Sequence, residues 1–103
     1  MKKNQSIALF GQSRVRRLWD ETREQWYFSV VDVVATLTDQ HNYKKAKSYW
    51  TTLKSRLKNE GSEVVTKCDQ LTMIAADGKK YLTDCLATED LLRGYSRADF
   101  RGL

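Results

Sequence analysis

The order of local patterns along the chain predicts an α+β domain. It places an N-terminal antiparallel β-meander first, then two central helices at about 30–38 and 43–59, a β-hairpin around Asp77-Gly78 and a short C-terminal helix. Three observations carry this. Short aromatic and β-branched segments separated by turn residues occupy the N-terminal part and return after Gly61. Between them, residues 43–58 (YKKAKSYWTTLKSRLK) are a helix-length run with six Lys or Arg and no acid. The 103 residues, without repeat, linker or low-complexity tract, fit one domain with one core.

Taken in order, residues 6–10 (SIALF), 14–19 (RVRRLW) and 25–29 (QWYFS) read as strands, separated by Gly11-Gln12-Ser13 and by the polar stretch 20–24. Ser29-Val30-Val31-Asp32 matches a capping box in its Asp form and starts the first helix. The loop Asp39-Gln40-His41-Asn42 leads into the basic helix, which Gly61 ends as a left-handed residue. Residues 63–68 (EVVTKC) and 71–76 (LTMIAA) are strand-like, and Asp77-Gly78 before residues 79–83 is the strongest hairpin signal. Thr88 with Glu89 and Asp90 starts a further helix that Gly94 keeps short. With no proline anywhere, the turns must come from Gly, Asp and Asn.

Charge is placed rather than spread. The chain carries a formal +5, residues 43–58 alone carry +6, and residues 20–42 are about −4. A hydrophobic content of 41% excludes a disordered chain, and a pI near 9.3 points to nucleic acid or an anionic surface as partner. No apolar run approaches the roughly 20 residues of a membrane span, and MKKNQSIALFGQ is too short in apolar residues for a signal peptide, so a cytoplasmic protein is expected. Cys68, Cys85 and the single His41 lack zinc-site spacing, and both cysteines are expected to be reduced and partly buried.

At 100° per residue, Ala46, Trp50, Leu53 and Leu57 form one stripe of the basic helix, which must face the core. Opposite it lie Lys44, Ser48, Thr51, Thr52 and Ser55, flanked by Lys47, Lys54 and Lys58 on one side and Lys45, Tyr49 and Arg56 on the other. Ser and Thr are mediocre helix formers, so a face meeting only water would more cheaply be Glu, Lys, Gln or Ala. A slim hydroxyl strip between two basic rails suits close approach to a sugar-phosphate backbone. The bland reading is a solvated helix, against which stands the absence of any acid on this face. Membrane-surface binding is disfavoured because Trp50 falls in the core stripe. Arg14 and Arg16 share one face of a strand; they either extend the footprint or pair with Asp20, Glu21 and Glu24. Charge reversal at Lys47 and Lys54 is expected to leave the fold intact.

Enzymatic readings are weak. Asp69, Asp77 and Lys79 faintly resemble a metal-dependent nuclease set, but Asp77-Gly78 is better explained as a turn. His41 lacks a recognisable nucleophile partner, and no glycine-rich phosphate loop occurs, so no cofactor is expected.

The runs RRLWDE (16–21), EQWYFSVVDVVATLT (24–38), YWTTLKSRLKNEG (49–61) and AADGKKYLTD (75–84) resemble, in the same order, the N-terminal Bro domain of prophage antirepressors and related DNA-damage-inducible proteins. The resemblance covers roughly residues 6–93. It implies an α+β DNA-binding domain tied to control of gene expression in phages and prophages. Residues 94–103 depart from the family's usual continuation, which a truncated reading frame, a frameshifted end or a free-standing domain would each explain.

Two function classes follow. In one, the basic helix binds duplex DNA as the second helix of a helix-turn-helix, with the 71–83 hairpin beside it like a wing. In the other, the same face captures an acidic protein such as a phage repressor. Reading paired DNA half-sites would require a homodimer, for which the sequence shows no dedicated motif.

Overall fold

Among the described residues, seven elements follow one another as a strand meander, a helix pair and a second hairpin. They are β1 (Asn4–Phe10), β2 (Ser13–Asp20), β3 (Gln25–Ser29), α1 (Val30–Leu37), α2 (Tyr43–Asn59), β4 (Asp69–Ile74) and β5 (Lys80–Ala87). The computed structural model describes residues 4–10, 12–61 and 68–90. The strand expected at 63–68 lies outside these except for Cys68, which is not in a strand, and the expected tail 94–103 lies outside them too. Residues 88–90 are helical, as the capping pattern at Thr88 requires, and the Thr88 hydroxyl donates to the Trp26 carbonyl at 3.4 Å.

All strand pairs are antiparallel, and the five strands form one sheet in the order β1-β2-β3-β5-β4. The meander and the late hairpin therefore join through β3 and β5. That joint was not visible locally: β5 runs to Ala87, beyond the expected 79–83, because Cys85, Leu86 and Ala87 pair with Ser29, Phe28 and Tyr27. Long-range pairing overrides the weak strand preference of this stretch.

The turns follow their residue chemistry. Asp20 Oδ1 accepts from the amides of Thr22 and Arg23, tightening the β2–β3 turn. In the second hairpin, Gly78 donates to the Ala75 carbonyl at 3.0 Å and sits at φ +82°, where a side chain would be strained. The loop is thus a β-turn followed by a left-handed glycine rather than a two-residue turn.

Ser29 caps α1, accepting from the Asp32 amide at 3.4 Å. The Asp32 carboxylate serves Arg16 in β2, so its role exceeds complementing the helix dipole. Asn42 caps α2, accepting from the Lys45 amide at 3.1 Å, and Gly61, at φ +73°, ends it as the sequence required.

Two hydrophobic clusters flank the sheet instead of one. Val30, Val31 and Val34 of α1 meet Ala46, Trp50, Leu53 and Leu57 of α2 over Leu86. Leu18, Tyr27, Met73, Cys85 and Ala87 form the second cluster; alternation along β5 sets it on the opposite face from Leu86. The sheet curls until an edge of β4 reaches β1: the Gln5 amide donates to the Ile74 carbonyl at 3.0 Å and accepts from its N–H at 2.8 Å. This side-chain clasp satisfies backbone groups that edge strand β4 would otherwise leave open.

Candidate nucleic-acid interface

The helix α2 positions the site. Its stripe of Ala46, Trp50, Leu53 and Leu57 is fully buried, as the periodicity predicts, which fixes the rotation of the helix about its axis. The opposite face is consequently presented to solvent. Lys44, Lys45, Lys47, Ser48, Tyr49, Thr51, Thr52, Ser55, Arg56 and Lys58 are all exposed. From Lys44 to Lys58 the cations run along roughly 21 Å of helix at 1.5 Å per residue.

The hydroxyl strip lies low between the rails. One shallow concavity is lined in part by Lys44, Lys45, Ser48, Tyr49, Thr52 and Arg56, and a second beside it by Lys44, Lys47, Ser48, Thr51 and Thr52. Ser48 and Thr52 line both. A slim floor with cations on either wall lets an anionic chain approach more closely than a face of long side chains would. The Thr51 hydroxyl already donates to the Lys47 carbonyl at 2.9 Å, so what it retains for a partner is acceptor capacity.

Two residues assigned to this surface by sequence are placed otherwise. Lys54 donates through Nζ to Asp84 Oδ2 at 2.8 Å, and the Trp50 indole Nε1 donates to the same oxygen at 2.8 Å. Asp84 Oδ1 accepts from Gln70 at 3.3 Å. Burial raises the Asp84 carboxyl, but the bonds from Lys54, Trp50 and Gln70 outweigh it and hold the group below its ordinary value. Lys54 therefore ties α2 to β5, and reversing its charge would set two carboxylates together. The expectation that Lys54 can be reversed without affecting the fold is corrected on this geometry.

Arg16 is likewise removed from the open face. It lies one residue beyond the last β2–β3 pair, Arg17 with Phe28, and its amide donates instead to Asp32 Oδ2 at 2.9 Å. Its guanidinium makes a two-point contact, Nε to Asp32 Oδ2 at 2.8 Å and Nη2 to Oδ1 at 3.1 Å, and Nη2 also reaches Ser29 Oγ at 3.3 Å. The guanidinium carbon lies 5.8 Å from the Tyr43 ring centroid. Burial opposes the charge, yet the bonds to Asp32 and Tyr43 raise the Arg16 pKa above its ordinary value. The partner is Asp32, not Asp20, Glu21 or Glu24. Arg14 shares the strand face but is exposed, and Arg17 stacks over Trp26 at 3.9 Å while donating to Ser6. Only long-range geometry separates these three neighbouring arginines.

The weak nuclease set does not converge. Asp69 opens β4 and pairs with Arg23 at 3.6 Å, whereas Asp77 sits in the hairpin loop beyond the opposite end of that strand. There Asp77 accepts from Tyr81 at 2.7 Å and from the Lys79 amide at 2.8 Å, which lowers its pKa. Among the described residues no group of three His, Cys, Asp or Glu side chains is arranged to hold a metal ion. Neither cysteine is in a disulfide; burial pushes the Cys85 thiol up to about 12, so that thiol is inert. No helix among the described residues is long and apolar enough to cross a membrane. No protein-family model, curated protein or solved structure matches the chain.

Proposed function

We propose that the exposed face of α2 binds duplex DNA. The observation that carries this reading is a surface on which Lys44, Lys45, Lys47 and Lys58, with Arg56 beside Glu60 at 3.9 Å, surround a recessed floor of Ser48, Thr51 and Thr52. Cations of this kind neutralise phosphates, while hydroxyls on a slim face reach backbone oxygens or base edges. The pair α1 and α2, joined by residues 38–42 and packed through Val30, Val31 and Val34, supports a helix-turn-helix-like use with α2 as the contacting helix. The resemblance to the Bro domain of prophage antirepressors agrees with this reading and extends it to transcription control in a phage or prophage.

The test is binding of a fluorescently labelled duplex by the wild-type chain and by Lys44→Glu/Lys47→Glu. Both positions are exposed and neither appears in an ion pair among the described residues, so the variant should keep its thermal unfolding midpoint while losing DNA affinity. Removing two phosphate contacts and adding two repulsions should weaken binding by on the order of a hundredfold at moderate salt. Wild-type affinity in that variant would move the contact off α2. A chain that ignores DNA but captures an acidic protein through the same face would establish the repressor-capture reading instead.

A further inference from the structure

The two edges of the sheet are treated differently. At β4, the outward N–H and C=O of Ile74 are clasped by the Gln5 amide, and Asp69 places a charge on the strand. At β1, no strand pairs with the outer side among the described residues. Half of the N–H and C=O groups of an antiparallel edge strand point away from its neighbour, and proteins normally blunt such edges with charge, proline or a bulge. β1 has the sequence NQSIALF, without charge or proline, in a chain that is 30% charged. On one face of this strand Ile7 is 49% and Leu9 69% exposed.

We infer that β1 pairs antiparallel with β1 of a second copy, forming a two-fold dimer with one continuous ten-stranded sheet, twice the five strands of one chain. Charge decides the occupant. A chain of net +5 repels its copy over most of its surface, but an uncharged strand can meet its own copy without like-charge contact. An acidic partner would find no cation along β1 to pair with. With the two-fold axis at Ala8, Leu9 lies opposite the partner's Ile7 on the same face, so both exposed apolar residues are covered twice over. Such pairing closes at two copies. The helix α2 packs on α1 and meets the sheet at Asp84 of β5 and, through Tyr43, at Arg16 of β2, while its cationic face lies opposite the stripe that makes the core contacts.

The experiment is sedimentation velocity of the chain without DNA from about 1 to about 200 µM, with amide hydrogen exchange at the two extremes. The expected result is a monomer–dimer equilibrium, with slower exchange along residues 6–9 at the high concentration. Leu9→Lys, at a position already exposed, should raise the dimer dissociation constant by about a hundredfold or more, since two apolar contacts are lost per dimer. Lys47→Glu, on α2, should leave it unchanged. A chain that stays monomeric throughout, assembles beyond two copies, or dimerises equally well as Leu9→Lys would overturn the inference. Loss of DNA binding with dimerisation intact would instead count against the reading of α2 alone.

Discussion

Replacing Asp84 by Ala separates the structural part of α2 from its binding part. The wild-type carboxylate joins three donors, Trp50 Nε1 and Lys54 Nζ at 2.8 Å each and Gln70 at 3.3 Å. Trp50 is a buried ring, and loss of a charged acceptor for its indole N–H costs about 1.5–3 kcal/mol. The Lys54 side chain is 36% exposed, so its share is discounted for solvent screening to about 0.5 kcal/mol. The expected loss is roughly 2–3.5 kcal/mol for Asp84→Ala, and about 1 kcal/mol for Asp84→Asn, which keeps an acceptor for the indole. The pH dependence has a definite sign. Asp84 is held below its ordinary pKa in the folded state, so its contribution is present above the unfolded value near 4 and fades as pH falls through the lower folded value. Urea unfolding followed by tryptophan fluorescence between pH 7 and pH 2 would show a steeper acid loss in the wild type than in Asp84→Asn. DNA affinity should hold or rise in Asp84→Ala, because Lys54 is released. An unfolding free energy within about 0.5 kcal/mol of wild type, or equal acid slopes in wild type and Asp84→Asn, would refute the reasoning.

Other outcomes follow from the same geometry. Trp50→Ala should cost about 3–5 kcal/mol by opening a cavity between the helix pair and Leu86, measured by urea unfolding. Asp32→Ala should cost about 3–5 kcal/mol, because it strands the half-buried Arg16 guanidinium and the Arg16 amide; its thermal midpoint should fall while duplex affinity, corrected for the folded fraction, stays unchanged. Cys85 should resist maleimide at pH 8 in the folded chain and react once urea unfolds it, read by mass spectrometry after digestion. Gln5→Ala should cost about 1 kcal/mol and speed amide exchange at Ile74, whose N–H loses its acceptor.

Local chemistry exposed much of this molecule before any geometry. The three meander strands, both helix starts, the glycine stop at Gly61 and the hairpin at Gly78 each rest on nearest neighbours, and each is observed. The buried stripe of α2 was legible because a 17-residue helix samples its period several times. What sequence could not supply is pairing at a distance. Nothing near Cys85 shows that β5 continues to meet β3, and nothing near Gln5 shows that its amide will clasp Ile74 across the curled sheet. The same limit governs the site. Lys47 and Lys54 look alike on a helical wheel, yet Asp84, thirty residues from Lys54 in the chain, makes one a strut and leaves the other exposed. Arg14 and Arg16 share a strand face, and only the point where β2–β3 pairing stops gives Arg16 to Asp32. A signal for Lys54 was available in retrospect, since Trp50 and Lys54 are one helical turn apart and a core-facing indole needs an acceptor.

The most direct test of DNA binding by α2 is the salt dependence of affinity for a short duplex, followed by fluorescence anisotropy at several salt concentrations. With Lys54 withdrawn, the exposed cations of α2 are Lys44, Lys45, Lys47, Arg56 and Lys58. If each neutralises a phosphate, log affinity should fall with log salt at a slope of about −4.5, and the slope should flatten to about −2.7 in Lys44→Glu/Lys47→Glu. A slope near zero, or one that the double variant leaves unchanged, would contradict the assignment of this face to a phosphate backbone.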